Sequence, residues 1–182
     1  VEARREQFTF GTAYLSVHMV VAYNTENPRP KNVRDLIGKR VVALAGSSGA
    51  EQLRLEVAQA PKLTWEEIPA SDSMELLDRL AVDEVDYVVT DSNIVELAQN
   101  FSPNIGRAFN LGEPETLSWA MPKDASPLLV ERVRDFFARI NANGTLRILL
   151  DRYYGHIQRL TQADVSAFLE RRLSVLPQYR SI

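Results

Sequence analysis

A glycine-serine bend is the first stretch of this sequence whose residue types can bind a ligand. The residues Gly46-Ser47-Ser48-Gly49 follow an apolar run and precede a segment with helical spacing. The backbone N–H groups at a helix start are unpaired and lie at the positive end of the helix dipole, and the two hydroxyl groups add donors. The bend therefore predicts a site for an anion, either a phosphate or a carboxylate. The alternative is that a serine only caps the helix.

The aspartate at position 91 is the second candidate. Asp91 follows the apolar run "DYVV" and precedes another segment with helical spacing. In an open parallel sheet, ligands bind at the carboxyl ends of the strands, and both Asp91 and the serine bend stand at such ends. The pair predicts a zwitterionic ligand, with its carboxylate on Ser47 and Ser48 and its ammonium on Asp91. The alternative for Asp91 is a second helix cap.

A third candidate is the arginine in the segment "EARREQFTF". Arg4 carries a guanidinium, which matches a carboxylate with two parallel hydrogen bonds. The alternative is an ordinary solvated arginine beside Glu2 and Glu6. Taken by itself, the segment does not decide between the two.

Other kinds of chemistry find little support. The bend lacks the lysine of a phosphate-binding loop and the glycine spacing of a dinucleotide fold. There is no G-x-S-x-G elbow, and His18 and His156 stand far apart with no carboxylate cluster beside them. We therefore expect no catalytic residues, no metal ion and no cofactor in this chain.

The elements that must position these residues alternate along the chain. The predicted strands span residues 12–23, 40–45, 63–69, 86–89, 105–112 and 117–124. The predicted helices lie before Gly38, at 50–60, at 74–81, after Ser92, from Ser126 to Gly144, at 145–155 and at 161–176. This alternation predicts an α/β fold with a mainly parallel sheet and crossover helices.

The composition indicates a globular protein with a sizeable core. Of its 182 residues, 45% are hydrophobic and 25% are charged. The formal net charge of -3 gives no basic face for nucleic acid, and the absence of cysteine excludes disulfides and thiolate metal sites. The chain starts without a methionine or a signal peptide, so we expect it to be a piece of a longer protein.

Four segments, in their order along the chain, resemble the amino-acid-binding family of periplasmic solute-binding proteins, family 3 of the ABC-transporter receptors. They are "EARREQFTF", "LIGKRVVALAGSSGAEQL", "VDYVVTDSN" and "INANGTLRILLDRYYG". The closing "DRYYGH", with the following helical segment and "LPQY", is similar more specifically to the receptor-like regulatory module of membrane-bound lytic murein transglycosylases. The resemblance implies a type II periplasmic-binding-protein-like fold of two lobes, with lobe two complete and lobe one partial.

The resemblance also implies roles for single residues. In that family an arginine and a G-[ST]-[ST] bend bind the α-carboxylate of the ligand, and an aspartate binds its α-ammonium. The matching residues here are Arg4, Ser47, Ser48 and Asp91. Phe10-Gly11 departs from the usual F-[ST], and the first strand of lobe one, with an aromatic that stacks on the ligand, would precede Val1.

The implied organisation divides the chain into four parts. They are residues 1–23 in lobe one, 24–116 in lobe two, 117–160 as a return strand and helices toward lobe one, and 161–182 as a helical linker toward an absent catalytic domain. Strands near Val20–Tyr23 and Ser118–Met121 are expected to cross between the lobes, and a bound ligand is expected to close the hinge.

Three functions follow as hypotheses. The leading one is a regulatory module that senses an amino acid or a peptidoglycan stem peptide and signals to the C-terminal transglycosylase domain of its parent, in the periplasm at the outer membrane. The alternative is an amino-acid-binding receptor of an ABC transporter, and the third is an enzyme in its own right. We expect no nucleic-acid partner, and a dimer formed through the incomplete lobe one.

Overall fold

Two sheets and five helices make up the part of the chain that is described. The computed structural model describes residues 6–154. Its strands are β1 (Phe8–Phe10), β2 (Leu15–Asn24), β3 (Val41–Leu44), β4 (Glu66–Ile68), β5 (Tyr87–Asp91), β6 (Ile105–Leu117) and β7 (Ala120–Pro122). Its α-helices are α1 (Ser48–Glu56), α2 (Ser73–Ala81), α3 (Ser92–Ala98), α4 (Pro127–Ala142) and α5 (Thr145–Tyr153), and a 3-10 helix spans Val33–Leu36.

The larger sheet has five strands in the order β4-β3-β5-β2-β6. β3 pairs in parallel with β4 and β5, as the alternation of strands and helices predicts. β2 pairs antiparallel with both β5 and β6, so the sheet is mixed and the expectation of a mainly parallel sheet is wrong in this half. The physical reason lies in the connection between β2 and β3. It is a polar segment with one 3-10 turn rather than a crossover helix, so the alternation of strands and helices does not predict the direction of β2.

Both faces of this sheet are covered by helices. Because side chains alternate along a strand, Met19 and Val21 of β2 pack with Leu53 of α1 on one face. Val20 of β2 packs with Leu77 of α2 and with other residues of α2 and α3 on the other face. These residues are buried, and the two layers form the main core.

The smaller sheet pairs β1 with β7 in antiparallel register and packs with α4. The predicted cap of α4 is confirmed, since the Ser126 side chain accepts a hydrogen bond from the backbone N–H of Leu129 and Pro127 is the first helical residue. Gly144, with a φ of 77°, ends the predicted helix as expected. The helix predicted at 161–176 lies outside the described residues.

The chain passes between the two sheets twice. Gly11 N–H donates to the carbonyl of Trp119 at 2.8 Å, and Tyr14 N–H donates to that of Leu117 at 3.0 Å, so the two passing segments run side by side. The crossing predicted at Val20–Tyr23 is wrong, because these residues pair with β5 and β6 inside the larger sheet. The division of the chain into two lobes stays a prediction.

Candidate ligand-binding cleft

The serine bend forms the start of α1. Gly46 has a φ of 69°, a conformation that glycine adopts without strain, and it turns the chain from β3 into the helix. Ser47 is the N-cap, and its hydroxyl accepts a hydrogen bond from the backbone N–H of Ala50 at 3.3 Å. The capping alternative is therefore true of Ser47. Ser48 is the first helical residue and lines a cleft, whereas Ser47 is not among the residues that line it.

A close approach of α1 to β5 places the bend beside Asp91, the second candidate. A Cβ atom on Gly49 would lie 2.6 Å from the carbonyl oxygen of Val89, so only glycine lets the first turn of α1 rest on the strand backbone. Val89 is two residues before Asp91, on the same face of β5. The second glycine of the bend thus brings Ser48 and Asp91 to one edge of the sheet.

Asp91 occupies the last position of β5 and the N-cap position of α3. Its side chain makes no capping hydrogen bond. Within residues 6–154 no hydrogen bond or ion pair of its carboxylate is found. Burial, and secondarily the charge of Glu115, raise the pKa of Asp91 above its ordinary value. The carboxylate is therefore partly desolvated and unpaired among the described residues, which is costly unless a cation binds there.

The cleft between the two sheets has a volume of about 920 Å³. Ser48 and Asp91 line it from the larger sheet, and Phe8, Phe10 and Lys123 line it from the region of the smaller sheet. The two phenylalanines are 40% and 38% exposed, so they offer apolar surface to an occupant. The cleft thus combines a helix start, a carboxylate and aromatic rings, a combination typical of sites for small polar molecules.

Glu115 is a cleft residue that the sequence analysis missed. It lies on β6 opposite Val17, while Asp91 lies on β5 opposite Met19. Val17 and Met19 are two residues apart on β2, so both carboxylates project from the same face of the sheet. The segment "GEPETL" gave no sign of this, because an acidic residue in a polar stretch is usually solvated.

Arg4 and the residues around it lie outside the described part of the chain, so its predicted role stays a prediction. Gly11, where the resemblance leads one to expect serine or threonine, packs closely. A Cβ atom there would lie 3.2 Å from Cγ1 of Val133. Among residues 6–154 no group of three or more metal-ligating side chains is found, and none of the helices is long and apolar enough to span a bilayer.

Comparison with known proteins identifies the relatives of this chain. Membrane-bound lytic murein transglycosylase F of Methylobacillus flagellatus is 38% identical over 180 residues, which cover 98% of this chain and 38% of that protein. The protein of the same name from Nitrosospira multiformis is 44% identical over 171 residues, 94% of this chain and 36% of that protein. The chain is homologous to one part of membrane-bound lytic murein transglycosylase F. It spans well under half of the length of these curated relatives, and no protein-family profile matches it.

Solved structures identify the fold. A mutant of ArgBP from T. maritima superposes with a TM-score of 0.72 at 20% identity, covering 86% of this chain and 66% of that chain. The ligand-binding core of GluR0 from Nostoc punctiforme, in complex with L-glutamate, gives 0.70 at 21%, covering 85% and 69%. The periplasmic-binding-protein-like α/β fold and the resemblance to lytic transglycosylases are thereby confirmed.

Proposed function

We propose that this chain is the ligand-sensing regulatory module of a peptidoglycan lytic transglycosylase, and that it binds an amino acid or a muropeptide stem. The observation that carries the proposal is the position of Asp91, unpaired within the described residues and partly buried, in the same cleft as Ser48 at the start of α1. A carboxylate of this kind gains most from a cation, and the helix start gains most from an anion. A zwitterion supplies both.

The binding mode follows from these groups. The ligand's carboxylate lies against the hydroxyl of Ser48 and the N–H groups of the first turn of α1, and its ammonium donates to Asp91. A hydrogen bond to a charged group contributes about 1.5–3 kcal/mol. Structural neighbours in complex with L-glutamate or arginine support an amino acid as the ligand class. Arg4 is proposed as the partner of the carboxylate from the other side.

We propose that binding closes the cleft by a hinge at the two passing segments, residues 11–14 and Ser118–Trp119. A ligand that contacts both sheets has a higher affinity for the closed arrangement, and only that difference shifts the equilibrium. In the parent protein, closure would be transmitted through residues 161–182 to a transglycosylase domain. The parent is proposed to act in the periplasm at the outer membrane, and this chain is proposed to bind peptidoglycan fragments without cutting them.

Titration calorimetry of the chain with free L-amino acids and with purified stem peptides tests the binding proposal. We expect saturable binding of at least one of them, and a clearly lower affinity in Asp91→Asn. The matched control is Asp78→Asn, because Asp78 is an exposed aspartate on α2, remote from the cleft lining. Unchanged affinity in Asp91→Asn, or no binding by any of the ligands, would contradict the proposal.

Fluorescence transfer tests the hinge separately. The chain contains no cysteine, so labels can be attached through Gln59→Cys, after α1, and Arg132→Cys, on α4, both at exposed positions. We expect the transfer efficiency to change with the same ligand dependence as the calorimetric titration. If the ligand saturates the protein and the efficiency stays constant, closure is rejected while binding stands.

A peptidoglycan digestion assay tests the absence of catalysis. We expect the purified chain to release no soluble product from isolated sacculi, because the proposed binding mode uses the cleft carboxylate Asp91 to hold the ligand's ammonium. Release of muropeptides by the chain alone would overturn this part of the proposal and favour an enzyme.

A further inference from the structure

Glu115 is the acidic side chain of the cleft that the proposed binding mode leaves unused. It is half-buried, it lines the same cleft as Asp91, and its charge acts on that residue. The described ionisable residues in the lining are Asp91, Glu115 and Lys123. The cleft therefore carries one more carboxylate than a simple zwitterion requires.

The strand register sets the spacing of the two carboxylates. β5 and β6 are both neighbours of β2, so two strand spacings, about 10 Å, separate Asp91 from Glu115 across the sheet. Their partners Met19 and Val17 add about 7 Å along the strand direction. The two Cα atoms thus lie on the order of 12 Å apart, and the carboxylates are close enough for the charge of Glu115 to act on Asp91. Such a separation is wide for one shared ammonium and suits two.

The site around Glu115 is built by a backbone irregularity. The pairing of β2 with β6 shifts register between Val17 and Met19, and Gly112, with a φ of 65°, lies in the extra residues of β6. A bulge of this kind re-aims the side chains that follow it. It places Glu115 opposite Val17 and in the lining, whereas Glu113, two residues earlier on the same strand, is exposed and outside the lining.

We propose that Glu115 is a specificity-determining residue which, together with Asp91, selects ligands of the diamino-acid class, with a second ammonium group on the side chain. This inference rests on the proposed function, since it assigns the α-ammonium to Asp91 and the side-chain ammonium to Glu115. The second carboxylate acts against acidic ligands as well, because a ligand carboxylate placed there would meet a like charge.

Calorimetry with two matched ligands tests the inference. L-lysine and L-norleucine have the same carbon chain and differ in the terminal ammonium. We expect the chain to bind L-lysine at least 10-fold more tightly. Glu115→Gln should weaken L-lysine about 10-fold and change L-norleucine less than 2-fold, and Glu115→Lys should weaken L-lysine further. Glu113→Gln is the matched control and should leave both affinities unchanged.

A third ligand distinguishes a free diamino acid from a diamino residue within a peptide. Nα-acetyl-L-lysine has its α-amine blocked, as in a peptide. If it binds as L-lysine does and depends on Glu115, a diamino residue within a peptide is the ligand; if it binds far more weakly, the free amino acid is. The first result supports selection by Glu115 but overturns the assignment of the α-ammonium to Asp91, because the acetylated amine carries no charge. The second result supports that assignment.

The outcomes separate this inference from the proposed function. Equal affinities for L-lysine and L-norleucine in the wild type, or equal losses for both in Glu115→Gln, would overturn the role of Glu115 and leave amino-acid binding through Asp91 intact. Failure of both ligands and of the peptide mimic to bind would overturn both proposals. Thermal unfolding of each variant without ligand shows whether it is folded. If Glu115→Gln does not fold, Glu115→Lys gives a second test of the role of Glu115.

Discussion

β5 carries an aspartate at each end, and the two are in opposite electrostatic environments. Asp86, just before the strand, accepts hydrogen bonds from the backbone N–H of Arg40 at 2.7 Å and from its guanidinium at 3.1 Å. This bonding lowers the pKa of Asp86 below its ordinary value. Asp91, the last residue of the strand, has no such partner within the described residues, and burial raises its pKa. The carboxylate at one end of the strand is thus hydrogen-bonded within the fold, and the one at the other end has no partner among the described residues.

The surroundings of Asp86 extend the contrast. Asp83, which has a φ of 59°, accepts from the side chains of buried Asn24 at 3.1 Å and of Asn27 at 2.8 Å. A depression of about 530 Å³ lies at this end, and the charges of Arg40 and Asp86 in its lining are already used in hydrogen bonds. Polar groups at the Asp86 end therefore stabilise the fold, whereas those in the cleft are left available to a ligand.

Exchanging each aspartate for asparagine is expected to give the largest difference between Asp91 and Asp86. We expect Asp91→Asn to reduce ligand affinity by roughly 10- to 150-fold, because it removes a charged hydrogen bond of about 1.5–3 kcal/mol. Without ligand its melting temperature should rise slightly, on the order of 1–2 °C, since the partly exposed carboxylate is only modestly penalised. Asp86→Asn should lower the melting temperature and leave affinity unchanged.

Calorimetry and thermal unfolding on the same samples measure both effects. The comparison fails if Asp91→Asn proves less stable than the wild type, since Asp91 would then have a structural partner. It fails equally if Asp86→Asn weakens ligand binding as much as Asp91→Asn does, because the two ends would not be independent.

Substitution of Gly49 by alanine should damage stability and binding together. The added Cβ meets the backbone carbonyl of Val89 at 2.6 Å, so α1 must move away from β5. Such overpacking costs about 1–3 kcal/mol, and the movement also separates Ser48 from Asp91. Gly38→Ala is the control. Its positive φ costs about 1 kcal/mol, in open space away from the cleft, and binding should be unchanged. A stable Gly49→Ala that binds normally would contradict the packing argument.

The two serines of the bend should separate capping from binding. Ser47→Ala removes the N-cap hydrogen bond to Ala50, and we expect the free energy of unfolding to fall by about 1 kcal/mol. Ser48→Ala removes a donor in the cleft and should lower affinity up to about 10-fold with little effect on stability. Urea unfolding and calorimetry of both variants decide this. Equal effects of the two on affinity would show that both hydroxyls contact the ligand.

Local signals explain what the sequence could predict. The helix start at Ser126 and the helix end at Gly144 depend on residues within one turn, and each is where the sequence places it. The cap at Ser47 was recognised as an alternative, although the helix itself was predicted to start two residues too late, at residue 50. Asp91 and the serine bend could be expected at one edge because parallel strands present the same end there.

Non-local pairing explains what the sequence could not predict. Residues 12–23 were predicted as one strand, which gave no sign that the chain changes sheets at residues 11–14, so the crossing was placed too late along the chain. Glu115 was missed because its position depends on a register shift between β2 and β6, two strands far apart in sequence.

The pH dependence of stability has opposite signs for Asp91 and Asp86, and it is the smallest effect expected. An unfolded aspartate has a pKa of about 3.9. The folded pKa of Asp91 is raised, so between these two values the folded state holds more protons and Asp91 makes stability fall as pH rises. The folded pKa of Asp86 is lowered, so its contribution to stability is present above about pH 4 and is lost as pH falls through the folded value.

Urea unfolding of the ligand-free protein from pH 3 to 7 measures both contributions. In Asp86→Asn the free energy of unfolding should fall less steeply toward acid pH, and in Asp91→Asn it should fall less steeply as pH rises above 4. If both variants change the curve in the same direction, the two ends of β5 do not differ as argued.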